Sequence, residues 1–211
     1  MAAHPHEHSH THDHTPPPDE DGPLGYYETM EIAVRELLIE KGVFGADDVR
    51  AAIEAMDARS PATGAQVVAR AWTDPAFKDA LLADGSKACA GLGIELGPLR
   101  LIAVENTATV HNVIVCTLCS CYPRNLLGLP PDWYKARSYR SRVVREPRAV
   151  LREFGTVIPD DVTVRVHDST ADMRYIVLPR RPDGTEGWEH ERLARLVTRD
   201  CLIGVTVPKT P

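Results

Sequence analysis

Residues 110–123 read Val-His-Asn-Val-Ile-Val-Cys-Thr-Leu-Cys-Ser-Cys-Tyr-Pro. Val113, Ile114 and Val115 form a β-branched run of strand length, and it leads straight into a loop carrying Cys116, Cys119 and Cys121. That spacing suits an unusual chelate. The Cys119 sulfur and the Ser120 amide nitrogen close one ring with a metal. The Ser120 and Cys121 amide nitrogens close a second, and the Cys121 nitrogen with its own sulfur closes a third. Two sulfurs and two nitrogens then share a plane, Cys116 caps it from below, and the sixth position stays open. Backbone amides bind only after losing a proton, so the metal must be strongly acidifying. Planar nitrogen and thiolate donors favour a transition ion with a directional d-shell, such as trivalent cobalt or iron. Such an ion acts as a Lewis acid.

Other chemistries compete for the same residues. A zinc site could use Cys116 and Cys119 as a C-x-x-C pair, with His111 and Cys121 completing the set, although no second pair is present. An iron–sulfur cluster would need Cys89 or Cys201 as a fourth thiolate. A disulfide between Cys119 and Cys121, one residue apart, is geometrically poor. The planar chelate fits the spacing best, and zinc stays open beside it.

Working outward, strands are expected at Leu101–Val104, at Val162, Val164 and Val166 with their alternating polar partners, and at Tyr175–Leu178. Helices dominate the first half. Met30, Val34, Leu37 and Leu38 recur at helical spacing and Gly42 stops them. Asp47 is a candidate cap for a helix with Val49, Ile53 and Met56. A third helix holds Val67, Val68 and Ala71, and Asp74 with Pro75 opens a fourth. A last helix is expected near residues 189–198. The class is α+β, in three parts: a His-rich and Pro/acidic tail at 1–24, a helical partner-contact arm at 25–91, and a metal-binding catalytic α+β domain at 92–211.

Composition narrows the function. The chain has 211 residues, a formal net charge of -6 and five cysteines. The odd count argues against a secreted disulfide framework, and no apolar stretch is long enough to span a membrane. A cytoplasmic enzyme subunit is expected. The arginines at 137, 140, 142, 145, 148 and 152 are interrupted by Glu146 and Glu153 in an acidic chain, which speaks against nucleic acid. Cys89 and Cys201 read as buried structural thiols. His4, His6, His8, His10, His12 and His14 alternate with other residues ahead of Pro16–Pro18. They could gather a borderline metal or serve only as a solubilising tail.

The run from Val115 to Pro123 closely resembles the metal-binding signature of the nitrile hydratase alpha subunit, of the nitrile hydratase alpha / thiocyanate hydrolase gamma family. The likeness continues through Gly128–Lys135, Val104–Thr107, Val110–Asn112, Arg174-Tyr175, Gly184–Gly187 and Leu196–Asp200, and covers residues 28–208. It implies a layered α-β-β-α fold. In that family Thr at the position of Thr117 goes with cobalt and Ser with iron, so the chain looks like the cobalt type, with one Co(III) per chain. The resemblance implies that Cys116, Cys119, Ser120 and Cys121 hold the metal, with Cys119 oxidised to sulfinic and Cys121 to sulfenic acid. Cys121 and Cys119 are then the catalytic residues.

The implied reaction hydrates a small nitrile to its amide. The Cys121 oxygen either attacks the nitrile carbon or activates a water that does. Thr117, Tyr122, Arg124, Trp133 and His111 are candidates for the pocket or its support. The implied partners are a beta-type subunit, as one chain or two short ones, and a cobalt-loading chaperone. Tyr122-Pro123-Arg124-Asn125 departs from the usual Tyr-Pro-Trp-Pro and is reminiscent of thiocyanate hydrolase. Leu96-Gly97-Pro98 stands where many alpha subunits carry Gln-Gly. Thiocyanate hydrolysis to carbonyl sulfide and ammonia is therefore the alternative reaction, and a non-catalytic cobalt carrier is a further one.

Overall fold

The computed structural model describes residues 24–119 and 121–210. The His-rich segment, read as either a metal-gathering or a solubilising tail, lies outside them. The chain divides into two compact units, Met1–Val49 and Arg50–Pro211.

The first unit holds α1 (Tyr26–Glu40) and the start of α2 (Ala46–Asp57). The Gly25 amide donates to the Glu28 carboxylate at 2.7 Å, closing the N-terminus of α1. At the other end Gly42 adopts φ 67°, its N–H bonds to the Ile39 carbonyl, and Val43 reaches the Leu38 carbonyl. This left-handed stop needs glycine. Among the described residues α1 buries none, and Met30, Val34 and Leu37 are each more than two-fifths exposed. Asp47 is not the cap of α2. The Gly45 amide donates to Asp48 at 2.7 Å, and Asp47 sits inside the first turn, where the helix dipole favours a carboxylate.

The second unit begins within α2 and is mixed α+β. Ser60, Asp74 and Asp84 cap α3 (Pro61–Thr73), α4 (Pro75–Ala83) and α5 (Gly85–Ala90) through their side chains. α3 buries Gly64, Val67, Val68 and Ala71, the i, i+3, i+4, i+7 stripe of a helix that must cover a core, and Ala65 and Ala69 beside it. It packs on the later helices α6 (Arg124–Leu127), α10 (His190–Ala194) and α11 (Arg199–Ile203), while α4 and α5 pack on β1 (Arg100–Glu105). α3, α4 and α5 lie in the same unit as the cysteine loop.

Two parallel strand pairs form the sheets. β1 (Arg100–Glu105) pairs with β4 (Met173–Leu178), and β2 (Val110–Val115) with β3 (Thr163–Asp168). α7 (Asp132–Lys135), α8 (Arg137–Arg145) and α9 (Pro147–Glu153) lie in the crossover from β2 to β3. Val113, Ile114, Val115, Leu126, Leu127, Tyr134, Leu151, Ile176, Leu202 and Ile203 form the heart of one core. The helix expected near 189–198 is the shorter α10, which ends at Ala194. Thr198 then caps the separate α11, its hydroxyl accepting from the Cys201 amide at 3.3 Å.

Candidate metal centre

β2 is buried from His111 through Val115, and this rigid strand delivers Cys116 to the surface of the core. Cys116 is buried, Cys121 half-buried and Cys119 exposed. The Cys116 and Cys119 sulfurs lie 3.5 Å apart, and those of Cys119 and Cys121 3.3 Å apart. All three lie within 4.8 Å of one another. The Cys119 amide points at the Cys116 sulfur at 3.3 Å. Burial, then hydrogen bonds from Cys119 and Cys116, push the Cys121 thiol up to about 12, with Arg174 pulling the other way. A cation among the sulfurs reverses that crowding, because it favours thiolates outright. Three convergent soft donors on one tight loop fit a transition metal. The Ser120 amide, the fourth expected donor residue, lies outside the described residues.

The loop is held from beneath by groups that sequence reasoning passed over. In the β2–β3 register Val115 faces Asp168, and the Asp168 carboxylate accepts from the Thr117 amide at 2.9 Å and the Thr117 hydroxyl at 2.6 Å. Arg140 donates to the Thr117 carbonyl at 3.1 Å. Tyr134 donates to the Cys121 carbonyl at 3.0 Å, and Tyr139 to that of Ile114 at 2.7 Å. Burial raises both phenols far above their ordinary value, so they stay protonated donors. Asp168 closes an alternating strand, and loops at the carboxyl ends of parallel strands are where α/β proteins place ligands. That signal was present, but the parallel pairing that gives it meaning was not readable.

The other candidates separate by position. Tyr122 is buried edge-to-face against Tyr134 at 5.1 Å, and its hydroxyl has no hydrogen-bond partner among the described residues. Arg124 is exposed at the start of α6 and shares a narrow crevice with Leu99, Leu101 and Arg174. Trp133 stacks edge-on with Tyr139 and Phe154, so it braces the aromatic floor under the loop.

His111 leaves the set of candidates. It sits near the far end of β2, roughly 16 Å from Cys116 by strand rise. Its Nε2–H donates to the Gly204 carbonyl at 2.7 Å, and its Nδ1 accepts from Asn106 at 3.3 Å. Both nitrogens are thus occupied at the wrong end of the strand for zinc ligation or for support of the loop. A cavity of about 430 Å³ lined by Asn106, Val110, His111 and Arg181 lies at that same end. Cys89 and Cys201 are buried structural thiols, Cys89 pushed up to about 11 by burial.

Residues 25–206 match the family described as nitrile hydratase, alpha chain. The chain belongs to the nitrile hydratase alpha family. It is 50% identical over 181 residues to the low-molecular weight cobalt-containing nitrile hydratase subunit alpha of Rhodococcus rhodochrous, covering 85% of this chain and 87% of that one. It is 47% identical over 197 residues to the thiocyanate hydrolase subunit gamma of Thiobacillus thioparus, covering 87% and 80%. The solved structure of an Fe-type nitrile hydratase double mutant from Comamonas testosteroni superposes with a TM-score of 0.81 at 44% identity, covering 88% of this chain and 91% of that one. Both relatives are named as subunits. Among the described residues no helix is long and apolar enough to cross a membrane.

Proposed function

We propose that this chain is the metal-binding catalytic subunit of a cobalt nitrile hydratase, which converts a nitrile to its amide. One observation carries the reading. Three sulfurs converge within 4.8 Å at the end of a buried strand, in a chain half identical to a cobalt-containing nitrile hydratase alpha subunit. Cys116, Cys119 and Cys121 supply the sulfurs, and the Ser120 and Cys121 amides supply the nitrogens. Trivalent cobalt bound there provides Lewis acidity toward the substrate nitrogen. Thr117 and the cobalt-containing relative support cobalt over iron, against the Fe-type structural neighbour.

Cys119 is proposed to carry sulfinic acid and Cys121 sulfenic acid. Cys119 is exposed and Cys121 half-buried, while buried Cys116 is shielded, and oxidation follows exposure. The Cys121 oxygen then attacks the nitrile carbon or takes a proton from the attacking water. The loop is open on its outer side, with Leu118 87% exposed. A beta-type partner is proposed to close the substrate pocket over it, held in part by the arm formed from α1 and α2. We place the assembly in the cytoplasm, loaded by a cobalt chaperone.

Thiocyanate hydrolysis is the second reading, favoured by Arg124. Exposed beside the loop with Arg174 behind it, this guanidinium would attract an anion. The test is to assay the complex for amide from an aliphatic and an aromatic nitrile, and for carbonyl sulfide from thiocyanate, with elemental analysis of the same sample. Amide production with stoichiometric cobalt is expected. Carbonyl sulfide with negligible amide would transfer the assignment to thiocyanate, and stoichiometric zinc in active protein would end the cobalt reading.

A further inference from the structure

The corner where the loop leaves β2 is gripped more tightly than a surface turn requires. Thr117 uses all three of its polar atoms. Its amide and hydroxyl donate to the two oxygens of Asp168 at 2.9 and 2.6 Å, and its carbonyl accepts from Arg140 at 3.1 Å. Thr117 and Asp168 are nonetheless exposed in the chain itself, so water could have served these atoms.

The grip comes from two anchored elements. Asp168 ends β3, whose position is set by the ladder to β2 and by the Ser169 amide bonded to the Val115 carbonyl at 2.7 Å. Arg140 lies on α8, which Tyr139 ties to the Ile114 carbonyl at 2.7 Å. Arg140 also spans to the Lys135 carbonyl at 3.1 Å, which fixes the guanidinium. Bonds to N, Oγ1 and O of one residue fix its backbone dihedrals and its side-chain rotamer together. The ordering entropy of the loop is then lost on folding rather than on metal binding.

We infer that Asp168 and Arg140 are positioning residues for the metal. They lock Thr117 so that the Cys116 and Cys119 sulfurs are held together, making the loop a preformed site for Co²⁺ uptake. This rests on the reading of the three cysteines as a metal site. A hydrogen bond to an ionised partner is large enough to change a binding constant about tenfold when it orders the ligand loop.

The test uses the full-length chain, reduced and metal-free, titrated anaerobically with cobalt(II) chloride. Thiolate-to-cobalt charge-transfer absorbance reports binding, and urea unfolding of the metal-free protein reports the fold. Asp168→Ala should weaken Co²⁺ binding about tenfold while the metal-free chain unfolds near the unsubstituted midpoint. Thr117→Val removes only the hydroxyl bond and should cost about threefold, a part of that effect. Thr117→Ser, which restores the hydroxyl, should recover most of the loss. Combining Asp168→Ala with Thr117→Val should be no worse than Asp168→Ala alone, because the hydroxyl has already lost its partner. Equal Co²⁺ affinity in Asp168→Ala and the unsubstituted chain would overturn the inference, as would a Thr117→Ser chain as impaired as Thr117→Val. If Asp168→Ala does not fold, the Thr117 pair decides alone. No cobalt–thiolate band in the unsubstituted chain would overturn the metal-site reading itself, and the clamp with it.

Discussion

His111 Nε2 donates to the Gly204 carbonyl at 2.7 Å, joining the start of β2 to the C-terminus of α11 across 93 residues of chain. The bond belongs to a one-way relay. His111 Nδ1 accepts from Asn106, the Asn106 carbonyl oxygen accepts from Asn112, and the Asn112 oxygen accepts from His167 at 2.8 Å. Gly204 itself has φ 89°, and a Cβ there would stand 2.1 Å from the Asn112 carbonyl oxygen.

Gly204→Ala should therefore destabilise the fold by at least about 2 kcal/mol, from a forbidden contact in a left-handed conformation. Urea unfolding measures it. A variant as stable as the parent would mean that β2 and α11 do not meet as described.

The relay also sets a pH dependence. Burial holds the His111 imidazole below the usual histidine value, with the Gly204 bond pulling partly back, and burial with Arg165 does the same for His167. Both are neutral in the fold. The unfolded chain takes up these protons near the ordinary value of about 6.5. Their stabilisation is thus complete above that value and is lost as pH falls below it through the folded values. Stability should drop between about pH 7 and 5, and the chain with both histidines changed to glutamine should show a flatter profile there. An unchanged slope would assign the loss to carboxylates.

Removal of ligands should act all or none. Cys119→Ala or Cys121→Ala removes a sulfur that would hold the metal, so metal-linked absorbance and activity should disappear together. Activity persisting without metal absorbance would exclude metal chemistry at this loop.

Peptide mass spectrometry of fully active enzyme tests the oxidation pattern. Two added oxygens are expected on Cys119, one on Cys121 and none on buried Cys116, with labile Cys121 oxygen captured by a sulfenate trap. Three unmodified thiols in active protein would contradict it.

Deleting residues 25–58 should abolish complex formation with the beta-type partner and leave the second unit cooperatively folded. α1 buries none of its residues in the chain itself, whereas the core begins with α3. Normal partner binding by the truncated chain would remove the arm from the interface.

The amino-acid sequence by itself was enough for the cysteine loop and the β-branched strand that delivers it, for the caps at Asp74 and Gly42, and for the burial of Cys89 and Cys201. These are local matters. Donor spacing, side-chain caps and left-handed stops are written within a few adjacent residues. The tertiary structure alone decided what holds the loop. Asp168 stands 51 residues from Thr117 in the chain, and the two meet only because β3 pairs in parallel with β2 in a register that sets Val115 beside Asp168. Two-residue periodicity reveals a strand but not its neighbour, so the clamp was not legible beforehand. For the same reason His111, close to the cysteines in sequence, is far from them in space. An extended strand separates its ends by its full length, and a compact pocket needs residues brought together by pairing rather than by proximity along the chain.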